Sequence, residues 1–145
     1  MAFGYVTYKN FAPVNSIASN LTGSEGCGLK LDAEGAVSLA VTQGSLPYAI
    51  VAVGATTVDG NYPGQPVAGS LEVIDQLGVA VQCQASDAGA ISAGDSIQID
   101  PDAIVPGAFK ADNTPTGGTF VWGTALTDCA AGEQFILRFN PIVAR

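Results

Sequence analysis

Apolar side chains recur at every second position in a series of short runs along this chain. Leu29 and Leu31 alternate with Lys30 and Asp32, and Val37, Leu39 and Val41 alternate with Ser38, Ala40 and Thr42. A period of two puts one face of a pleated strand in a core and the other in water. A third run, Tyr48 to Val53, is apolar almost throughout. Asp32-Ala33-Glu34-Gly35 and Gln43-Gly44-Ser45-Leu46-Pro47 supply the turns between them. Farther on, Leu71 to Ile74 and Val79 to Val81 flank Asp75-Gln76-Leu77-Gly78, whose Gly predicts a hairpin turn. Only Asp87 to Ser92 and Asp102 to Val105 have room for a helical turn, and neither sustains a helical period.

From Val81 to Asn140 one small unit occurs twice. Ala93-Gly94-Asp95-Ser96-Ile97-Gln98-Ile99-Asp100 and Ala131-Gly132-Glu133-Gln134-Phe135-Ile136-Leu137-Arg138 each place a small residue and a Gly before a carboxylate and a strand-like run. Similar runs precede each turn, Val79 to Gln84 and Thr119 to Thr124, and Ala68 to Asp75 is a fainter third copy. The pattern predicts strand, loop, tight turn, strand, with Gly supplying backbone angles that a Cβ forbids. Uneven spacing excludes a solenoid and favours a compact sheet that reuses one hairpin-like device. The alternation blurs around Phe135-Ile136-Leu137, which predicts a strand buried on both faces or covered by a partner.

These signals, with 18 Gly, 8 Pro and few helix-forming charges, give a mainly β fold: a compact β-sandwich or barrel-like domain over residues 25–145. Residues 1–24 read as an N-terminal arm with aromatic anchors at Phe3, Tyr5, Tyr8 and Phe11. It packs either on another subunit or as a terminal edge strand of its own sheet. Long Gly/Pro loops complete the layout. One runs from Gly54 to Gly69 around Tyr62-Pro63, and the other from Asp112 to Gly118; the short tail from Asn140 to Arg145 closes the sheet.

Charge narrows the partners. The formal net charge is −8 with five basic residues, so nucleic acid and anionic membrane are repelled. The excess acid serves solubility or docking to a basic partner. The start of the chain lacks the pattern of a signal peptide, and Tyr48 to Val53 is too short to span a bilayer.

No His is present, which removes the commonest general base and zinc ligand. Cys27, Cys83 and Cys129 are odd in number and widely separated, and read as small buried hydrophobes of a reducing compartment. No serine triad or phosphate-cradling loop can be assembled. Asp95, Asp100 and Asp102 match no calcium loop and suit turns and strand ends. The chain is therefore expected to carry no catalytic residues, metal or cofactor. Trp122, the only Trp, reads as core or subunit interface rather than a sugar-stacking platform.

The C-terminal half resembles the capsid cement, or head-decoration, proteins of tailed bacteriophages. The resemblance runs from about Val79 to Pro141. It is carried by Ala93-Gly94-Asp95-Ser96-Ile97, Pro106-Gly107-Ala108, Val121-Trp122-Gly123-Thr124-Ala125-Leu126 and Ala130-Ala131-Gly132-Glu133-Gln134-Phe135-Ile136. Trp122 stands where the family pattern has Val or Gly-Val, and the segment through Gly69 is longer than the family's.

The resemblance implies a non-enzymatic homotrimer, made in the host bacterial cytoplasm, that binds the major capsid protein on the outer surface of the virion. There it stabilises the shell between capsomers. Contacts are expected from Phe3, Tyr5, Tyr8, Phe11, Tyr62, Pro63 and Trp122. The alternative is a carbohydrate- or receptor-binding β-domain of a phage tail or fibre, which requires Trp122, Tyr48 and Tyr62 exposed on one face.

Overall fold

The structure, a computed structural model, describes residues 10–11, 16–18, 20–54 and 71–145. Among these, every regular element is a strand: β1 (Asn10–Phe11), β2 (Ser16–Ile17), β3 (Gly28–Leu31), β4 (Ala36–Leu39), β5 (Pro47–Val53), β6 (Glu72–Ile74), β7 (Ala80–Gln84), β8 (Ser96–Ile99), β9 (Phe109–Ala111), β10 (Phe120–Ala125) and β11 (Gln134–Val143). They form two sheets, ordered β1-β6-β5-β3-β4-β2 and β7-β11-β10-β8-β9. Pairing is antiparallel throughout except for β2 on β4. The mainly β expectation holds. Asp87 to Ser92 and Asp102 to Val105 form turns and bends rather than helix.

The apolar run of β5 has a simple physical cause, because both of its faces are buried. Ile50 and Ala52 join a core shared with the second sheet. Ala49 and Val51 join a separate cluster with Leu21, Leu29, Val37, Leu71 and Val73. Register shifts where β5 meets β3 and β6 mark bulges, which bend and twist the strand.

The second sheet closes on itself. Just beyond β7, Ala85 bridges Phe109 of β9, and the Ser86 N–H donates to the Phe109 carbonyl at 2.7 Å. This bridge joins the two ends of the sheet at that point and covers part of their edges. Inside lie Phe109, Trp122, Phe135 and Phe139. Phe109 meets Trp122 edge-on at 5.3 Å between ring centres, and Trp122 lies 6.3 Å from Phe139. Gly28 of the first sheet abuts this cluster: a Cβ there would lie 2.9 Å from Trp122 Cη2 and 3.0 Å from Phe109 Cζ. Full burial of such side chains contributes about 1.5–3 kcal/mol apiece.

Three expectations are corrected. Asp75 to Gly78 is no hairpin, because β6 belongs to the first sheet and β7 to the second; the Gly78 N–H instead donates to the Phe139 carbonyl. The repeated unit forms a hairpin only in its second copy, where β10 pairs with β11. The strands of the first copy, β7 and β8, lie apart and flank that hairpin from outside. Around Phe135 the alternation is regular, with Phe135, Leu137 and Phe139 buried and Ile136 half-buried. Of the fainter third copy, Leu71 to Asp75 is described and lies in or beside β6 of the first sheet, apart from the other two.

The two copies are interlaced. Strand β8 of the first pairs with β10 of the second, and β11 of the second pairs with β7 of the first. The registers correspond: Thr124 faces Ser96 and Gly123 faces Ile97, just as Gln84 faces Gln134 and Cys83 faces Phe135. Both Ala-Gly-acid turns dock alike, with Ala125 N–H donating to the Asp95 carbonyl and Ala85 N–H to the Glu133 carbonyl, each at 2.9 Å. Gly94 and Gly132 have φ of 94° and 76°, the left-handed region these turns require.

Candidate interaction surface

The residues expected to make contacts divide sharply in the structure. Phe3, Tyr5, Tyr8, Tyr62 and Pro63 lie outside the described residues. Phe11 is in β1, whose backbone pairs with β6 at the edge of the first sheet. Of the two places expected for Trp122 the structure gives the core: its side chain is 0% exposed, so it offers no surface to a partner or a sugar. Among the described residues neither its buried Nε1–H nor the buried hydroxyl of Tyr48 has a hydrogen-bond partner. Burial and the nearby Asp75 push the Tyr48 phenol up to about 12.

Asp95 and Asp100, two of the carboxylates considered for chemistry, accept backbone N–H groups of their own turns. Asp95 accepts the Ser92 N–H and the Asn113 side-chain amide, both at 2.9 Å. These bonds, the Asn113 one foremost, hold its carboxyl below the usual 3.8. Asp100 accepts the Asp102 N–H at 3.0 Å, and Asp128 accepts the Ala93 N–H at 2.8 Å. The Ser92 and Asp102 bonds are the short-range caps that Asp contributes to turns, whereas the Asn113 and Ala93 bonds join segments distant in sequence. Among the described residues no group of three His, Cys, Asp or Glu side chains could hold a metal ion.

The thiols are free and withdrawn from solvent to different degrees. Burial first, and Glu25 second, push Cys27 up to about 12, and burial pushes Cys83 well above the ordinary range. Cys129 is only partly buried and its thiol is raised as well, chiefly by burial.

One region does present apolar groups to solvent. The Phe120 N–H donates to the Gln43 carbonyl at 2.9 Å, while Phe120 pairs on its other side with Val143. The turn after β4, the start of β10 and the end of β11 thus lie side by side. Leu46 is 62% exposed here and Ile142 57%, with Val41 and Val143 also exposed. None of these residues was singled out as a contact from the sequence; a signal existed in the apolar Ile142-Val143 tail, which continues past the Asn140-Pro141 step. Gln98 of β8 is fully buried and bonds to Gln43, Thr119 and the Phe120 carbonyl, fastening the turn after β4 to the start of β10.

The chain matches no known protein family and no curated protein.

Proposed function

We propose that this protein is a capsid decoration protein. It binds the outer surface of an icosahedral phage head between capsomers, as a homotrimer, and stabilises the shell. The observation that carries the reading is that the segments bearing the resemblance, scattered from Val79 to Pro141, fold into one unit. Ala93 to Ile97 leads into β8, Val121 to Ala125 is β10, and Ala130 to Ile136 leads into β11, all within the second sheet.

Physically, such a protein works by linkage. A chain that binds only the assembled lattice shifts the equilibrium toward that lattice by mass action. Linking three copies makes later contacts intramolecular, so each interface needs to be only modest. The formal net charge of −8 suits an exterior position, away from packaged nucleic acid.

The carbohydrate-binding alternative needs an exposed aromatic platform. Trp122 is removed from it by burial, and the Tyr48 hydroxyl is also buried. The test is to sediment a lysate of the native source through a density gradient. Comigration with intact heads in a fixed ratio to the coat protein is the expected result. Recovery only in soluble fractions, at low and physiological salt alike, overturns the reading.

A further inference from the structure

We propose that Ile104, with Asp87 and Asp102 beside it, is the point at which this chain docks on its protein partner, entering an apolar pocket bordered by lysine or arginine side chains. The inference rests on the preceding reading, in which that partner is the coat lattice, and names the contact.

The first argument is an exposed side chain that is held in place. Ile104 is 80% exposed, more than any other large apolar residue among the described residues, and Val105 next to it is 45% exposed. The loop that carries them is fastened along its length. The Asp102 N–H donates to Asp100 Oδ1 at 3.0 Å, and the Ile104 N–H donates to Oδ1 of Asp87, in the segment after β7, at 3.2 Å. The Asp100 N–H donates to the Ala108 carbonyl, and the Gly107 carbonyl accepts the N–H of Gly28 in the first sheet, each at 3.0 Å. Pinned to both sheets, the loop displays an aliphatic side chain in water instead of letting it collapse onto the surface. Its backbone is already ordered in the free protein, so docking loses less conformational freedom. A preorganised apolar anchor that fills a pocket is where interfaces concentrate their binding energy.

The second argument is charge, which selects the occupant. Asp87 and Asp102 are both exposed, and no basic residue lies between Lys30 and Lys110 in the chain. The carboxylates adjoin Ile104: one accepts its N–H, and the other stands two residues before it. A second copy, with 13 acidic residues against five basic, meets like charge here, and so do nucleic acid and an anionic membrane. A sugar finds no aromatic ring between Asp100 and Ala108. A protein pocket with an apolar floor and a basic rim complements both features. The floor takes the aliphatic side chain, and the rim takes the carboxylates, which also steer the approach.

The experiment is a competition in the native source. Each full-length variant is produced alongside the wild-type chain and intact heads are purified on a density gradient. Peptide mass spectrometry then compares the variant's share in heads with its share in the unbound pool. Ile104→Ser and Asp102→Lys, both at exposed positions, are expected to be depleted from heads several-fold, with unchanged circular dichroism and melting of the purified chains. Asp102→Glu, which keeps the charge, is expected to hold its share. So is Leu77→Ser, the control, because Leu77 is 66% exposed and precedes β7 whereas Asp87 follows it. A full share for Ile104→Ser or for Asp102→Lys overturns the proposal, as does equal depletion of the control. Absence of the wild-type chain from heads is a separate result: it overturns the preceding reading and, with it, the coat lattice as partner.

Discussion

Ile91 and Cys129 exchange backbone hydrogen bonds with one another, at 3.0 and 2.9 Å. Each stands at the same place before the turn glycine of its own copy, Gly94 in one and Gly132 in the other. A residue that pairs with its own counterpart marks a local twofold relation. It explains why the flanking registers correspond across β8–β10 and β11–β7. Neither copy can bury its apolar face alone, since each strand after a turn finds a partner in the other copy.

The β10–β11 hairpin of the second copy depends on a close approach at Gly123. A Cβ there would lie 1.9 Å from the Arg138 carbonyl oxygen of the paired strand. Gly123→Ala is expected to lower stability by about 3 kcal/mol. Gly94→Ala, whose Cβ meets nothing within 4 Å, should lose only about 1 kcal/mol from its left-handed backbone. Urea midpoints of the two variants check the difference, and equal losses would remove the steric account.

Trp122 reports on the core directly, being the only Trp. Its emission is expected to be blue-shifted and untouched by iodide until the chain unfolds. Trp122→Ala should lower stability by about 3–5 kcal/mol. A red-shifted, quenchable native spectrum would place it outside the core and revive the sugar platform.

Acid should weaken the first Ala-Gly-acid turn. The Asp95 carboxyl is held below 3.8 in the folded chain, so the unfolded state takes up the proton first. Its contribution to stability is present above that ordinary value and is lost as pH falls through the lower folded value. Asp95→Asn is expected to flatten this part of the stability profile between about pH 5 and pH 2. Urea midpoints across the range test it, and parallel profiles would contradict it.

Thiol chemistry should follow burial. With an aromatic disulfide reagent at mildly alkaline pH, Cys129 is expected to react first, with Cys27 and Cys83 reacting only as the chain opens. Mass mapping of the first modified site decides the order.

The arm is best tested by removing residues 1–9. Asn10–Phe11 forms β1 on β6, so a deletion through residue 12 would also strip an edge strand from the first sheet. If the arm makes the capsid contacts, the shorter truncation keeps the melting temperature and lowers occupancy on heads; unchanged occupancy removes the arm from the mechanism.

Much of the candidate surface was hidden from sequence reasoning. Aromatic side chains drew attention to Trp122, yet an inward position in a closed sheet withdrew it. The turn that holds Leu46 and the tail that holds Ile142 lie on either side of Phe120, whose N–H bonds to Gln43 while Val143 pairs with it. No local pattern connects those segments.

The sequence by itself determined that the chain is made of strands, where most of them run, and that Ile97 and Ile99 face inward along β8, though not that Gln98 and Asp100 are buried beside them or that β11 alternates regularly. It also determined both Ala-Gly-acid turns. These are local properties, set by a side-chain period of two and by the backbone freedom of Gly. Tertiary structure alone decided which strands are neighbours: that β6 and β7 part company, that the first copy flanks the second, and that Ala85 reaches Phe109 to close the sheet. Alternation orients a strand's faces but leaves its edges unassigned, because every backbone edge presents the same N–H and C=O groups. The choice among partners is made by the packing of Phe109, Trp122, Phe135 and Phe139, drawn from three strands at once.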